Sequence, residues 1–262
     1  ALAYLSGIPT LPSLPNATIV QRYVLATVYF DTSGGPTWKN DFRWLSNVDH
    51  CRWFGIQCDS TGAIDTINLA NNGLRGGVPG ELGILSNSLV SLDLQNNPNL
   101  ASTLPSDVGA LTKLTYLSVA QSQIRGTLPT NLGGLTDLIS FVANSSSLTG
   151  TIPSEIGLWN KSVVFDVGQN AMTGTLPTEM GNLVLLRRLS ASGNQLSGTV
   201  PTEFAGLSSL EMLLLSDMAL TGTVPPTICV LPNLTEFVSD CDEIGCTCCT
   251  LCCSGPSDLT CV

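Results

Sequence analysis

The sequence predicts an α/β solenoid, in which a short unit repeats along one axis and a disulfide-bonded cap closes each end. Three observations predict it. Prolines and glycines recur through the middle of the chain, mostly with a step of 24 residues. The segment before each such proline alternates apolar and polar residues, as a half-buried strand does. The ten cysteines fall into two groups, one near each end of the repeats.

The composition excludes several classes of protein. Of the 262 residues 43% are hydrophobic and only 11% are charged, and the net charge is −10. Because the chain has no basic stripe, we expect neither a nucleic-acid partner nor binding to an anionic membrane surface. No apolar run approaches the roughly 20 residues that span a bilayer. We expect a processed or trimmed chain, with any signal peptide or membrane anchor outside it.

Cysteines and glycosylation sequons favour an extracellular location. Ten cysteines, an even number, are typical of an oxidising compartment. The chain also carries Asn-X-Ser/Thr sequons. We expect glycosylation at Asn16, Asn144, Asn160 and Asn233.

The first element is an extended segment at residues 1–16, where the spacing of Pro9, Pro12 and Pro15 argues against a helix. The next stretch, "ATIVQRYVLATVYF" at 17–30, has helical periodicity. Its expected apolar face is Ile19, Tyr23, Ala26 and Phe30.

The repeats follow. One complete unit is "LRRLSASGNQLSGTVPTEFAGLSS" at 186–209, which contains a strand-like segment, a second short alternation and a turn with helical spacing. After a first gap of 26 residues, the prolines are 24 residues apart: Pro79, Pro105, Pro129, Pro153, Pro177, Pro201 and Pro225.

This pattern, L-x-x-L-x-L-x-x-N-x-L-x-G-x-(I/V/L)-P, resembles the leucine-rich repeat in its plant-type form of 24 residues. The resemblance implies a right-handed superhelix with a parallel β-sheet on its concave side. A second short sheet and 3-10 or helical turns would lie on its convex side. We expect seven repeats at 63–233.

The caps share this resemblance. "CRWFGIQC" at 51–58 resembles the plant-type amino-terminal cap, which implies a Cys51–Cys58 disulfide and a cap over 17–62. The helix and the cysteine-dense tail resemble leucine-rich-repeat proteins of diatom-like algae more than land-plant receptors.

The tail at 234–262 is expected to be a second cap, held by disulfides whose pairing the sequence leaves open. A thiolate metal cluster built on Cys246, Cys248, Cys249, Cys252 and Cys253 is the alternative. It is disfavoured because the single histidine, His50, lies at the other end of the chain. The cysteines of this group are Cys229, Cys241, Cys246, Cys248, Cys249, Cys252, Cys253 and Cys261.

No catalytic constellation is recognisable, so we expect a non-enzyme without a cofactor or metal. Candidate binding residues are instead those that strand alternation places outward on the concave face. They are Tyr116, Val142, Val164, Asp166, Arg188, Met212, Leu214 and Val238. Met212, Leu214 and Val238 could form an apolar binding patch, but we favour packing under the carboxy-terminal cap.

A second array consists of threonines two residues before the prolines. We expect them to form a ladder along the second sheet, which resembles the faces of some ice-binding β-solenoids. They are Thr127, Thr151, Thr175, Thr199 and Thr223.

Three functional hypotheses follow. The first, implied by the family resemblance, is an extracellular recognition or adhesion module that binds protein, peptide or glycan. The second is a self-associating component of a matrix, wall or filament, and the third is an ice-binding surface. Any membrane association would need a segment absent from this chain.

Overall fold

The computed structural model describes Ala1 and residues 3–4, 14–240 and 244–253. Cys241 and Cys261 lie outside the described residues, as do the side chains of Ile244, Cys252 and Cys253. Predictions that concern those cysteines therefore have no structural counterpart here. In the described residues no helix is both long and apolar enough to cross a membrane.

The amino-terminal cap contains one α-helix, α1 (Asn16–Asp31), and a 3-10 helix at His50–Arg52. The helix buries Val24, Leu25 and Val28, whereas Phe30 is 49% exposed. Of the expected apolar face, Ala26 is fully buried, Tyr23 is half-buried against the core and Ile19 is half-buried, so the prediction was wrong at Phe30. The helix is contacted on a second side, where Arg22 donates to the carbonyls of Ser46 and Val48, so its buried surface is not a single stripe.

One strand from each repeat contributes to a single concave sheet. The sheet runs in the order β1 (Ile56–Cys58), β2 (Ile64–Asn68), β4 (Ser91–Asp93), β6 (Tyr116–Ser118), β8 (Ser140–Val142), β10 (Val164–Asp166), β12 (Arg188–Ser190), β14 (Met212–Leu215), β17 (Glu236–Asp240) and β19 (Leu251–Cys253). Strand β1 is antiparallel to β2, whereas the pairs from β2 to β19 are parallel.

A second set of short strands follows the concave strands in each repeat. These are β3 (Arg75–Gly76), β5 (Asn99–Leu100), β7 (Arg125–Gly126), β9 (Ser147–Gly150), β11 (Ala171–Thr175), β13 (Gln195–Gly198), β15 (Ala219–Leu220), β16 (Gly222–Thr223) and β18 (Ile244–Gly245). The strands β7, β9, β11, β13 and β15 form a five-stranded sheet, β3 pairs with β5, and β16 pairs with β18.

A 3-10 helix follows in six of the repeats, and each begins directly after one of the repeated prolines, which takes the N-cap position in an extended conformation. After Pro225 a turn stands in place of the helix. These helices are Gly80–Leu85, Ser106–Ala110, Thr130–Gly134, Ser154–Leu158, Thr178–Asn182 and Thr202–Gly206. The predicted combination of a concave parallel sheet, a second sheet and 3-10 turns is confirmed.

The core is one continuous column of side chains between the sheets and the 3-10 helices. Leu92, Leu117, Phe141, Phe165 and Leu189 occupy the same place in successive strands and are all fully buried. Each repeat therefore covers the apolar surface of its neighbours, as a solenoid requires.

Buried asparagines tie the repeats together through the backbone. The Oδ1 of Asn97 accepts from the N–H groups of Asn72 and Leu74, and its Nδ2 donates to the carbonyls of Leu69 and Leu94. Where the sequence has Ser122 instead, the hydroxyl donates to Val119 O and accepts from Ile124 N.

Disulfides lie at both ends of the described chain. Cys51 is joined to Cys58 in the amino-terminal cap. In the carboxy-terminal cap Cys229 is joined to Cys248 and Cys246 to Cys249.

Candidate functional site

The concave face carries the candidate binding residues in two columns. Tyr116, Val164, Arg188 and Met212 belong to the column that contains the first residue of each strand, and the pairing register places Val164 beside Arg188 and Arg188 beside Met212. Val142, Asp166, Leu214 and Val238 belong to the column two residues further along. In both columns the register advances by one repeat per strand, as the sequence predicts.

In the first half of this face, Tyr116 is half-buried. Beside it Asp93 and Ser118 are buried on the floor of the sheet. Burial, and secondly the carboxylate of Asp93, raises the pKa of the Tyr116 hydroxyl, which therefore stays protonated at neutral pH. This region offers a phenol to a ligand rather than a free carboxylate.

The second half contains a groove with a volume of about 410 Å³. It crosses the starts of β10, β12, β14 and β17 and combines aliphatic surface, a thioether, two arginines and one glutamate. Its lining residues are Val163, Val164, Arg187, Arg188, Glu211, Met212 and Thr235. A groove that is largely apolar with a few fixed polar groups is the usual form of a ligand site.

Arg188 lies on the floor of the groove and is oriented by Asp166. One guanidinium nitrogen of Arg188 is 3.3 Å from Asp166 Oδ2, and the other carboxylate oxygen accepts from the N–H of Gly168 at 3.1 Å. The Asp166 side chain is only 12% exposed, whereas that of Arg188 is 38% exposed. The other terminal nitrogen of Arg188 donates to Met212 Sδ at 2.6 Å. The carboxylate and the thioether therefore fix the guanidinium, whose remaining N–H groups are left for a ligand.

Arg187 and Glu211 form the lip of the groove. Arg187 Nε donates to Glu211 Oε1 at 2.8 Å. Both side chains are about half exposed, so this pair contributes little to stability and can exchange its partners with a ligand.

The apolar candidates near the carboxy-terminal cap differ in accessibility. Val238 is only 8% exposed and is paired with Leu251 of β19, whereas Met212 and Leu214 are half-buried. Met212 lines the groove, and Val238 lies in β17, which is paired along one edge with β19.

The sequence pattern did not indicate the lip of the groove, because the candidate residues come only from the two outward-facing columns of the concave strands. Val163, Arg187, Glu211 and Thr235 all occupy the position directly before them. A signal was nevertheless present. Arg187 and Glu211 have opposite charges and are 24 residues apart, so they lie on neighbouring repeats at the same position.

The five threonines of the expected ladder are all exposed, but only Thr175 lies in the five-stranded sheet. Thr127, Thr151 and Thr199 directly follow β7, β9 and β13, and Thr223 lies in β16, which pairs with β18. If neighbouring strands were paired one full repeat apart, Thr175 would be paired with Thr199. It is paired with Ser197 instead. The methyl group of Thr151 instead lies over Gly174, where an added Cβ would be 2.7 Å from Thr151 Cγ2. The threonine side chains therefore point in a common direction, but the rows run diagonally across the sheet.

Three of the four sequons have exposed asparagines. Asn16 is exposed at the start of α1, and Asn160 and Asn233 are exposed in the turns before β10 and β17. Asn144 is half-buried just after β8. The turns of Asn160 and Asn233 therefore lie at the two ends of the groove.

Within the described part of the chain, one group of potential metal ligands lies outside the groove. Ligand atoms of His50, Cys51 and Cys58 lie within 4.8 Å of one another. The two sulfurs are joined in a disulfide, so neither is available as a thiolate. His50 is buried, and this burial lowers its pKa.

Comparison with known proteins supports this architecture. The Leucine Rich Repeat family model matches residues 185–207. A probable leucine-rich repeat receptor-like protein kinase of Arabidopsis thaliana is 35% identical over 112 residues, which cover 38% of this chain and 12% of the kinase. Polygalacturonase inhibitor 1 of Oryza sativa subsp. japonica is 30% identical over 81 residues, which cover 30% of this chain and 24% of the inhibitor.

The solved structures that resemble the chain include plant receptors. The leucine-rich-repeat ectodomain of the receptor kinase GASSHO1/SCHENGEN3 from Arabidopsis thaliana superposes with a TM-score of 0.78 at 28% identity, over 86% of this chain and 27% of the ectodomain. The PEPR1-AtPEP1 structure gives a TM-score of 0.79 at 28% identity, over 86% of this chain and 32% of that chain.

The expected likeness to algal proteins stays a prediction, because the organisms named in these matches are land plants. The repeats, the concave sheet and these similarities together identify the fold as a leucine-rich-repeat solenoid of the plant type.

Proposed function

We propose that this chain is a non-catalytic, extracellular recognition module that binds an extended segment of a protein or peptide in the concave groove. The observation that carries the proposal is the groove itself, which crosses four neighbouring strands and combines apolar walls with the oriented guanidinium of Arg188.

The dimensions of the groove suit an extended chain. Neighbouring strands lie about 4.8 Å apart, so its four strands cover a distance of roughly 15 Å, the length of four or five extended residues. Val164 and Met212 offer apolar contacts to side chains of the ligand, and Arg188 offers N–H donors to its carbonyl or carboxylate oxygens.

The similar proteins agree with this function. The GASSHO1/SCHENGEN3 ectodomain was solved in complex with CASPARIAN STRIP INTEGRITY FACTOR 2, and the rice relative is a polygalacturonase inhibitor. Both descriptions concern binding of another molecule. Because this chain spans only a fraction of the length of its relatives, the partner of the whole protein is part of the proposal.

The test uses a library of random linear peptides displayed on phage and selected on the intact, glycosylated chain. Peptides that bind are then measured against Arg188→Glu and Met212→Ala variants. We expect the affinity to fall at least tenfold in each variant. The matched control is Ser91→Ala, which changes the same column of the sheet far from the groove.

Selected peptides that bind the groove variants and the Ser91→Ala control with equal affinity would refute the proposal. A glycan array probed with the same variants tests the alternative ligand class. Self-association is tested by measuring the solution mass over a hundredfold range of concentration, and growth of the mass would favour a matrix or filament component.

The ice-binding hypothesis is supported by one observation, the common orientation of the exposed threonine side chains over the glycines that follow them. Thermal hysteresis of the Thr151→Lys/Thr175→Lys variant, compared with the unchanged chain, tests it. Absence of hysteresis in the unchanged chain would refute it.

A further inference from the structure

The last coil that the structure describes is much shorter than those before it. Leu214 of β14 is paired with Val238 of β17, one full repeat later, but Val238 is paired with Leu251 of β19 after little more than half a repeat. The coil still reaches the second sheet, where Gly222 is paired with Ile244. The terminal coil, residues 244–253, therefore replaces a 3-10 helix by a tight turn that contains three cysteines.

The apolar anchoring of the terminal coil comes from its cysteines, since Cys246, Cys248 and Cys249 are partly buried and pack against the core. None of the described side chains from Gly245 to Leu251 is fully buried, and Leu251 is 38% exposed. Complete repeats, in contrast, each bury several leucines. Strand β17, which is paired with the terminal coil, is well covered, because Phe237, Ser239 and Asp240 are all buried.

Disulfides supply the missing attachment. Cys229 occupies the position that Gly157 and Gly181 hold in earlier repeats, where the next repeat approaches most closely. An added Cβ on Gly157 would be 2.6 Å from Glu179 Cβ. At Cys229 this contact becomes the covalent bond to Cys248, and the adjacent Cys246–Cys249 disulfide closes the turn.

We propose that the terminal coil is a redox-controlled cover over the end of the concave sheet. A dithiol reduces Cys229–Cys248 and Cys246–Cys249. Two dithiol molecules react, one for each cystine: each cystine accepts two electrons and two protons and becomes two thiols, while its dithiol loses them and becomes a disulfide. The coil then leaves β17 and opens the outer edge of that strand, because the described residues otherwise hold it through two short strand pairings, of β18 with β16 and of β19 with β17, and hydrogen bonds such as Phe237 N–H to Thr250 Oγ1.

The accessibility of the cystines agrees with this role. Cys229, Cys246, Cys248 and Cys249 are only partly buried, so a small dithiol can reach them. The released edge continues the ligand groove, since Thr235 lines the groove directly before β17. Control of ligand binding through this edge rests on the proposed function, whereas release of the coil does not.

The test measures amide hydrogen exchange by NMR while the protein is titrated with dithiothreitol. Alkylation and peptide mapping identify the reduced cystines at each step. Two neighbouring amides report on opposite sides of β17. Phe237 N–H bonds to the terminal coil, and Glu236 N–H bonds to Glu211 O on the groove side.

We expect exchange at Phe237 to accelerate at least tenfold when the two cystines are reduced, while Glu236 stays protected. The Cys229→Ser/Cys248→Ser/Cys246→Ser/Cys249→Ser variant should show the same exchange without a reductant. Protection at Phe237 after reduction would overturn the proposal. Equal acceleration at Phe237 and Glu236 would also overturn it, because the whole last repeat would then have unfolded. Neither measurement uses a ligand, so failure of the groove hypothesis leaves the result intact.

Discussion

Asn97 shows how a single side chain joins two repeats. It is fully buried and satisfies two backbone N–H groups and two carbonyls at once. A buried polar group that loses its partner costs about 1–3 kcal/mol. The bonding capacity of this side chain therefore matters more to the turn than its volume.

We expect Asn97→Ala to lower the free energy of unfolding by about 2–4 kcal/mol, because several backbone groups lose their partner at once. Asn97→Ser should recover part of the loss, since Ser122 already bonds Val119 O and Ile124 N at the equivalent position. Urea denaturation measures both. Asn99→Ala, an exposed site nearby, is the control. Equal losses in the Ala and Ser variants would contradict this account.

His50 links the amino-terminal cap to pH. It is buried, and desolvation lowers its pKa below the ordinary value, although the carboxylate of Asp49 partly opposes the shift. The unfolded chain therefore binds a proton on His50 at a higher pH than the folded chain does. The stabilising effect of a neutral His50 is complete above about pH 6.5 and is lost as the pH falls towards the folded-state pKa.

We expect the unfolding midpoint in urea to decrease between about pH 7.5 and pH 5.5, above the range in which most carboxylates titrate. A His50→Gln variant should show a flatter pH dependence, because glutamine has no proton to gain. If the slope of the variant matched that of the unchanged chain, another group would be responsible for it.

Along the second sheet, threonine methyl groups lie directly over glycines of the next repeat. Gly150 has a φ of +70°, and an added Cβ would be 2.6 Å from Thr127 Cγ2. Gly62 offers a matched site, with a φ of +82° and no atom within 4 Å of an added Cβ. The two positions share the backbone strain but not the crowding.

Gly62→Ala should therefore destabilise by about 1–2 kcal/mol, the cost of a left-handed conformation for a residue with a Cβ. Gly150→Ala should cost more, because the threonine methyl must also move. Thermal unfolding of both variants gives the difference. Adding Thr127→Ser, which removes the methyl, should restore part of the stability of Gly150→Ala. Purely additive effects would show that the methyl contact is unimportant.

At the scale of the whole molecule, the repeat made the concave face predictable. Strand pairs such as Val164 and Arg188 are one repeat apart, so alternation within the strand placed both outward. Their accessibility was not predictable. Asp166 and Ser118 are buried because longer side chains of the same face lie beside them. The order of residues in a column does not show how far a neighbouring side chain shields them from solvent.

Two further features could not be predicted from the sequence, for physical reasons. The pairing of Thr175 with Ser197 departs from the repeat, and glycines with positive φ, such as Gly174, redirect the backbone there. The short terminal coil could not be predicted because its path depends on which cysteines are joined. Eight cysteines allow 105 pairings, and the spacing of Cys246, Cys248 and Cys249 fits several of them.

The constant register of the concave sheet also governs how such a chain can change in length. From β8 to β17, each concave strand is paired with the next at a distance of one repeat. Removing residues 164–187 would join Val163 to Arg188 and set Val142 opposite Ser190, with every leucine still facing inward. Recombination between repeats can thus add or delete whole repeats, whereas a deletion one residue shorter would turn leucines towards water.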